Sequence, residues 1–210
     1  GRPGGLGWPG RAARRRDLSA YGETVAPLYA EAGRVAGAPL VIDSSKDPSY
    51  LFALRATGRV DLAVVHLVRD SRAVAHSWSR RKLRPEVHWE ERWMRTLSPS
   101  RSARRWIEIN AMVELYRSVF RGSVLRLRYE DFARDAAGGL AEIVAAFGLA
   151  MPVEPRREAH SFSGNPSRFD QGPLRVTEDR SWTHQMSRRD RRAVTALTVP
   201  LLRKYGYPLW

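Results

Sequence analysis

The chain has 210 residues and a formal net charge of +14, from 36 Lys+Arg against 22 Asp+Glu. Its 43% apolar share suffices for a core, and no apolar run approaches the roughly 20 residues of a membrane-spanning helix. Cys is absent, which excludes disulfides, thiolate metal sites and Cys nucleophiles, and the five His show no paired spacing of the kind zinc requires. Only Lys46, Lys82 and Lys204 are lysines, so the basic excess is almost wholly arginine. Such an excess suits anionic partners, whether nucleic acid, a membrane surface or phosphate- and sulfate-bearing small molecules, and composition does not choose among them.

Residues 1–16 combine turn formers, Gly-Arg-Pro-Gly-Gly and Trp8-Pro9-Gly10, with the charge run Arg14–Arg16, and are expected to form a disordered lead to a single domain over 17–210. Tyr21, Val25, Leu28, Tyr29 and Ala32 recur three or four apart, which predicts an amphipathic helix over 17–36 despite Pro27. Pro39 to Asp43 reads as a short strand entering a polar loop, and Pro48 to Gly58 as a helix with proline in its first turn. Val60 to Val68 is a near-continuous apolar run, as in a strand buried on both faces of a parallel sheet, and a helix is expected over 70–82.

From Ser100 to Phe120 a stripe of Trp106, Ile109, Val113, Tyr116 and Phe120 predicts a long helix. Gly122 to Arg128 follows as a third strand, and Leu140, Ile143, Val144 and Phe147 mark a helix stopped by Gly148. Residues 148–186 read as irregular. Ser187 with Asp190 opens the last helix like a capping box, and Gly206 and Pro208 close it. Strands alternating with helices predict an α/β fold in which helices flank a parallel sheet.

Ligands of open parallel sheets bind beyond the carboxyl ends of the strands, and two such ends here suit an anion. One is Asp43-Ser44-Ser45-Lys46-Asp47-Pro48, where hydroxyls, an ammonium and a helix N-terminus converge. The other is Arg69-Asp70-Ser71-Arg72, followed by Ala73, Ser77, Arg80 and Arg81 at helical spacing, so that Arg69 and Ser77 could grip one phosphate. Spacing alone leaves a second reading open, in which Arg69 and Asp70 cap the helix and pair with neighbours.

Taken together and in order, Val41-Ile42-Asp43-Ser44-Ser45-Lys46-Asp47-Pro48, the run from His66 to Trp78, Leu127-Arg128-Tyr129-Glu130-Asp131-Phe132 and the run from Ser163 to Phe169 resemble the motif series of sulfotransferases that use 3'-phosphoadenylyl sulfate (PAPS). The resemblance is to the bacterial branch related to carbohydrate and tyrosylprotein sulfotransferases, and it covers roughly residues 38–207. It implies a P-loop-kinase-like fold, PAPS as sulfuryl donor with no metal, and a small-molecule, carbohydrate or peptide acceptor in the cytoplasm. By the same resemblance Arg69 and Ser77 match the pair that holds the cofactor's 3'-phosphate, and Tyr129 an aromatic beside the nucleotide. Ser45 and Asn165 fall in its cofactor-binding segments, Arg168 in a late loop that adds positive charge. Lys46 matches the lysine beside the transferring sulfuryl group and is the expected catalytic residue. His76, His160 and Glu130 are candidates for the acceptor's base by residue type alone.

The family pattern opens with a strand and an Arg-Ser-Gly-Thr-Thr loop that cradles the 5'-phosphosulfate. Gly4-Gly5-Leu6-Gly7 lacks the preceding strand and the Ser/Thr pair, so the fold is expected to be N-terminally incomplete and activity of these residues alone is doubtful. An alternative of another class, a basic nucleic-acid-binding protein without catalytic activity, has the net charge in its favour, although the arginines are distributed over most segments.

Overall fold

Ala and Arg are strong helix formers, and the Arg-Ala-Ala-Arg-Arg-Arg run is helical: α1 spans Arg11–Ala36. The charge run expected in a loose lead therefore belongs to the helix. The structure, a computed structural model, describes residues 11–84, 87, 89–120, 124–150 and 177–209. It divides into two units, residues 1–63 and 64–210.

In the first unit α1 packs on α2 (Pro48–Thr57). Asp47 caps α2 by accepting from Ser49 N at 3.0 Å, Pro48 fills the first turn, and Gly58 ends the helix at φ 63°, a conformation that costs glycine little. Buried Gly22 lets the two helices approach closely, since a Cβ there would lie 2.8 Å from Thr57 Cβ. The Tyr21 and Tyr50 rings meet edge-on at 6.0 Å, and the Tyr29 hydroxyl bonds Asp43 Oδ2 at 2.5 Å and the Tyr50 hydroxyl at 3.1 Å. No strand forms at 39–43. Leu40, Val41 and Ile42 are 45%, 39% and 84% exposed, because an apolar run becomes a strand only with a pairing partner, and none is present among the described residues.

The second unit holds a parallel pair, β1 (Val64–Val68) beside β2 (Val124–Arg128), in register from Val64 opposite Val124 to Val68 opposite Arg128. The crossover a parallel pair requires contains α3 (Ser71–Ser79) and α4 (Pro99–Val119). Beyond β2 come α5 (Tyr129–Arg134), α6 (Ala136–Phe147), the short α7 (Trp182–Gln185) and α8 (Arg188–Lys204). The chain is thus α/β with a small parallel sheet. α3, α4 and α8 pack together, and Val68, Trp106, Leu202, Tyr205 and Tyr207 form the core cluster against β1. A second cluster joins Ala75, Ala103, Met186 and Val194. α4 buries Ser102, Ala103, Trp106, Asn110, Val113 and Tyr116, so its inner stripe includes two polar positions that an apolar pattern omits. As expected, Ser187 caps α8 by accepting from Asp190 N at 3.1 Å, and Gly206, at φ 73°, follows its end. No described helix is long and apolar enough to cross a membrane.

Candidate functional site

β1 alternates buried and exposed residues, with Val64, His66 and Val68 turned into the core. Arg69 follows at the carboxyl end of the strand and Asp70 begins the turn into α3. There the four-residue cluster divides. Asp70 caps α3 by accepting from Arg72 N at 2.8 Å, while Arg72 folds back onto it through Nε at 2.9 Å and Nη2 at 2.6 Å. Both side chains are buried. Arg72 also donates to Pro208 O at 2.7 Å and lies 4.7 Å over the Trp182 ring. Ser71 is buried against the Thr198 hydroxyl at 2.8 Å. Asp70 thus caps the helix and pairs as the second reading has it, and with Ser71 and Arg72 it fastens α3 to the C-terminal segment.

Arg69 is turned elsewhere. Its backbone carbonyl accepts from the Trp106 indole at 3.0 Å, which fixes the residue between β1 and α4. Its guanidinium stacks 4.7 Å over the Tyr129 ring and reaches Asp179 Oδ2 and O, both at 3.3 Å. Tyr129, at the exit of β2, donates through its hydroxyl to Thr177 O at 3.1 Å. Ser77, two turns along α3, accepts from Lys82 Nζ at 3.2 Å, and Arg80 Nη2 lies 3.7 Å from Asp179 Oδ2. Burial, then the neighbouring Arg80 and Arg69 charges, push the Lys82 ammonium below the usual lysine range, which sets it among those cations. Asp179 is held down at about 2 by hydrogen bonding from Ser181, whose N–H donates at 3.0 Å, and by the Arg69 guanidinium.

The structure therefore stacks Arg69 on Tyr129, joins Arg80 to Arg69 at Asp179, and links Ser77 to these cations through Lys82. The sequence pattern had placed Arg80 on the Ser77 face but also Arg81, which instead stacks 4.5 Å over Trp93. Lys82 and Asp179 were missed as site residues. The one signal for Lys82 was its rarity in an arginine-rich chain, and nothing local marked Asp179.

Ser45 and Lys46 belong to the other unit, on an exposed loop where Ser45 N donates to Asp43 Oδ1 at 2.7 Å. Asn165, Arg168 and His160 lie outside the described residues. Glu130 is fully engaged: Oε1 accepts from Asp70 N at 3.0 Å and Oε2 lies 2.6 Å from the Tyr207 hydroxyl. That carboxylate ties the ends of β1 and β2 to the C-terminal segment, each oxygen accepting one hydrogen bond. His76 is buried, with Nε2 3.2 Å from Gln185 Oε1. His66 is a core histidine, its Nε2 2.9 Å from Asn110 Oδ1 and its pKa lowered by burial.

A cavity of about 450 Å³ lies along β2, α5 and α6, lined in part by Arg126, Arg128, Asp131, Asp135 and Glu142. Its arginines are already paired, Arg126 with Glu114 at 3.4 Å and Arg128 with Asp131 at 3.6 Å, and Arg69, Ser77 and Tyr129 do not line it. Among the described residues no three His, Asp or Glu side chains gather as a metal ion would require.

Compared with known proteins, the chain matches the family model described as "Sulfotransferase family" over residues 7–153, well over half its length. The match begins ahead of residue 38 and ends before Asn165 and Arg168. No curated protein and no solved structure gives a significant match.

Proposed function

The chain belongs to the sulfotransferase family, and on that premise we propose that it binds PAPS, with Arg69 and Ser77 at the 3'-phosphate and Tyr129 beside the nucleotide. The observation that carries this reading is the stacking of Arg69 on Tyr129 beyond the carboxyl ends of a parallel strand pair, where such sheets bind ligands, with Ser77 linked to that charge through Lys82. The donor set fits a phosphate. A guanidinium and an ammonium supply forked and single donors, the Ser77 hydroxyl adds another, and Arg69 Nε is a buried donor with no acceptor among the described residues.

PAPS supplies an activated sulfuryl group, which passes to an acceptor hydroxyl or amine as the bridging S–O bond breaks and a new bond to sulfur forms. The protein's tasks are those of positioning and charge. Arg69 and Ser77 hold one end of the donor. Lys46 is assigned to the charge that grows on the departing oxygen, Ser45 and Asn165 to hydrogen bonds with the cofactor, and Arg168 to further cationic contact. These four assignments rest on the family's motifs. The acceptor is a small molecule, carbohydrate or peptide, and its proton passes to a base as the new bond to sulfur forms.

The sequence holds no Arg-Ser-Gly-Thr-Thr string for the donor's 5' end, so nucleotide binding rather than turnover is the decisive measurement. Calorimetric titration with adenosine 3',5'-bisphosphate should show binding by the wild-type chain. Arg69→Ala should weaken it by roughly 10- to 100-fold, the loss of charge-assisted hydrogen bonds worth about 1.5–3 kcal/mol. A folded wild type that does not bind the bisphosphate would remove the assignment.

A further inference from the structure

Around Ser77 the structure gathers more positive charge than the pair Arg69 and Ser77 accounts for. Lys82 Nζ donates to Ser77 Oγ at 3.2 Å, and Arg80 and Arg69 reach the same carboxylate oxygen, Asp179 Oδ2, at 3.7 and 3.3 Å. Lys82 feels the charges of both arginines and of Asp179, so these three cations and one carboxylate together carry +2. All three keep solvent access, Arg69 even while it stacks on Tyr129: the Arg69 side chain is 23% exposed and that of Arg80 40%, and Lys82 is half-buried. Like charges brought this close repel unless an anion sits among them, and Asp179 now supplies it.

A phosphomonoester carries a charge of about −1.5 to −2 at neutral pH and presents three acceptor oxygens. It matches the residual charge where a singly charged diester or sulfate ester would not. Resting on the nucleotide reading above, we propose that Arg80 and Lys82 complete the phosphate grip of Arg69 and Ser77. The site is thereby charged for a terminal dianionic phosphomonoester, and Asp179 is the internal carboxylate whose bonds to the two arginines the phosphate takes over. Lys82 is the specificity-determining member, since its ammonium already lies against the Ser77 hydroxyl. Asp179 comes from the segment between Thr177 and Ser181, which Tyr129 also anchors through the Thr177 carbonyl. Occupation of the site and the position of that segment are therefore coupled.

The test titrates wild type, Lys82→Gln, Lys82→Arg and Asp179→Asn with adenosine 3',5'-bisphosphate and, by competition, with adenosine 5'-phosphosulfate, which lacks the 3'-phosphate and carries no phosphomonoester. Thermal unfolding of each variant is recorded to establish folding. Lys82→Gln should weaken the bisphosphate about tenfold, the loss of one charge-assisted hydrogen bond, and Lys82→Arg should restore most of it. Asp179→Asn, which removes the competing carboxylate, should tighten the bisphosphate at least threefold. Adenosine 5'-phosphosulfate should change less than twofold in every variant. If wild type binds the bisphosphate but Lys82→Gln stays within twofold of it, or Asp179→Asn fails to tighten binding, this inference falls and the Arg69 assignment stands. Equal losses for both nucleotides would also overturn it, because Lys82 would then not read the 3'-phosphate. No binding by folded wild type would overturn both readings.

Discussion

Replacing Asp70 by Asn separates the structural from the ligand-facing half of the Arg69–Arg72 cluster. Asn keeps an acceptor for Arg72 N, so the cap of α3 is retained and costs little. What is lost is the negative charge opposite Arg72, in a pair whose side chains are 3% and 6% exposed. Removing one partner of a buried ion pair leaves the other uncompensated and costs about 3–5 kcal/mol. Set against a typical total of roughly 5–15 kcal/mol, this is a large share of the fold's stability, and a midpoint drop on the order of 10 °C is expected. Urea unfolding followed by tryptophan fluorescence and far-UV circular dichroism measures it, with Trp182 beside Arg72 as a local reporter. Arg69→Ala, run in parallel, breaks a pair whose Asp179 partner is 40% exposed and should lose no more than about 1 kcal/mol. The double variant Asp70→Asn/Arg72→Met should recover most of the loss, since a buried pair exchanged for apolar packing is nearly neutral. The reasoning fails if Asp70→Asn costs under about 1 kcal/mol, the range of an exposed pair, or if Arg69→Ala proves the more damaging change.

Two further measurements probe the fold. Stability should decline as pH falls, because three groups bind protons more readily when unfolded than when folded. His66 is lowered by burial, Asp179 is held at about 2, and Glu114, although burial opposes its ionisation, is lowered by the Lys204 ammonium at 2.6 Å. The His66 contribution is present above the unfolded histidine value of about 6.5 and lost below it, so His66→Gln should flatten the stability curve in that window, and an unchanged slope would remove the claim. In the first unit, Gly22→Ala pits a helix-propensity gain of about 1 kcal/mol against a Cβ placed 2.8 Å from Thr57 Cβ. Since Thr57 is stiff at its own Cβ, overpacking of about 1–3 kcal/mol should win. Hydrogen exchange across α1 and α2 should accelerate, whereas slower exchange would show that the helices can part without cost.

The long periodic elements were readable because local signals agreed. α4 had its apolar stripe, α8 its Ser187 cap and Gly206 stop, and β1 lay within an apolar run. Leu40 to Ile42 misled for a physical reason. β-propensity records how well a residue suits a pleated, half-buried surface, and it carries no information about whether a neighbouring strand is there to bond. α6 shows the converse: Leu140, Ile143, Val144 and Phe147 at helical spacing marked the helix correctly, yet none of its residues is buried.

Within the site, two periods meet at residue 69. The strand alternation that turns Val64, His66 and Val68 inward leaves Arg69 on the opposite side, so its outward role could be anticipated from period two. Once α3 begins, the helical period governs, and Ser71, Arg72, Ala73, Ala75 and His76 become its buried residues. An arginine there contradicts every composition-based expectation, and it is tolerated because Asp70 and the Pro208 carbonyl satisfy it locally. Lys82 and Asp179 were illegible for a different reason. Lys82 lies beyond the end of α3, where no period predicts its direction, and Asp179 meets Arg69 across 110 residues of chain. Charges that gather by tertiary folding leave no trace in spacing. The strongest sign of an anion site in this protein is therefore one that only the three-dimensional arrangement reveals: two arginines sharing a single carboxylate, with the Lys82 ammonium beside them on Ser77.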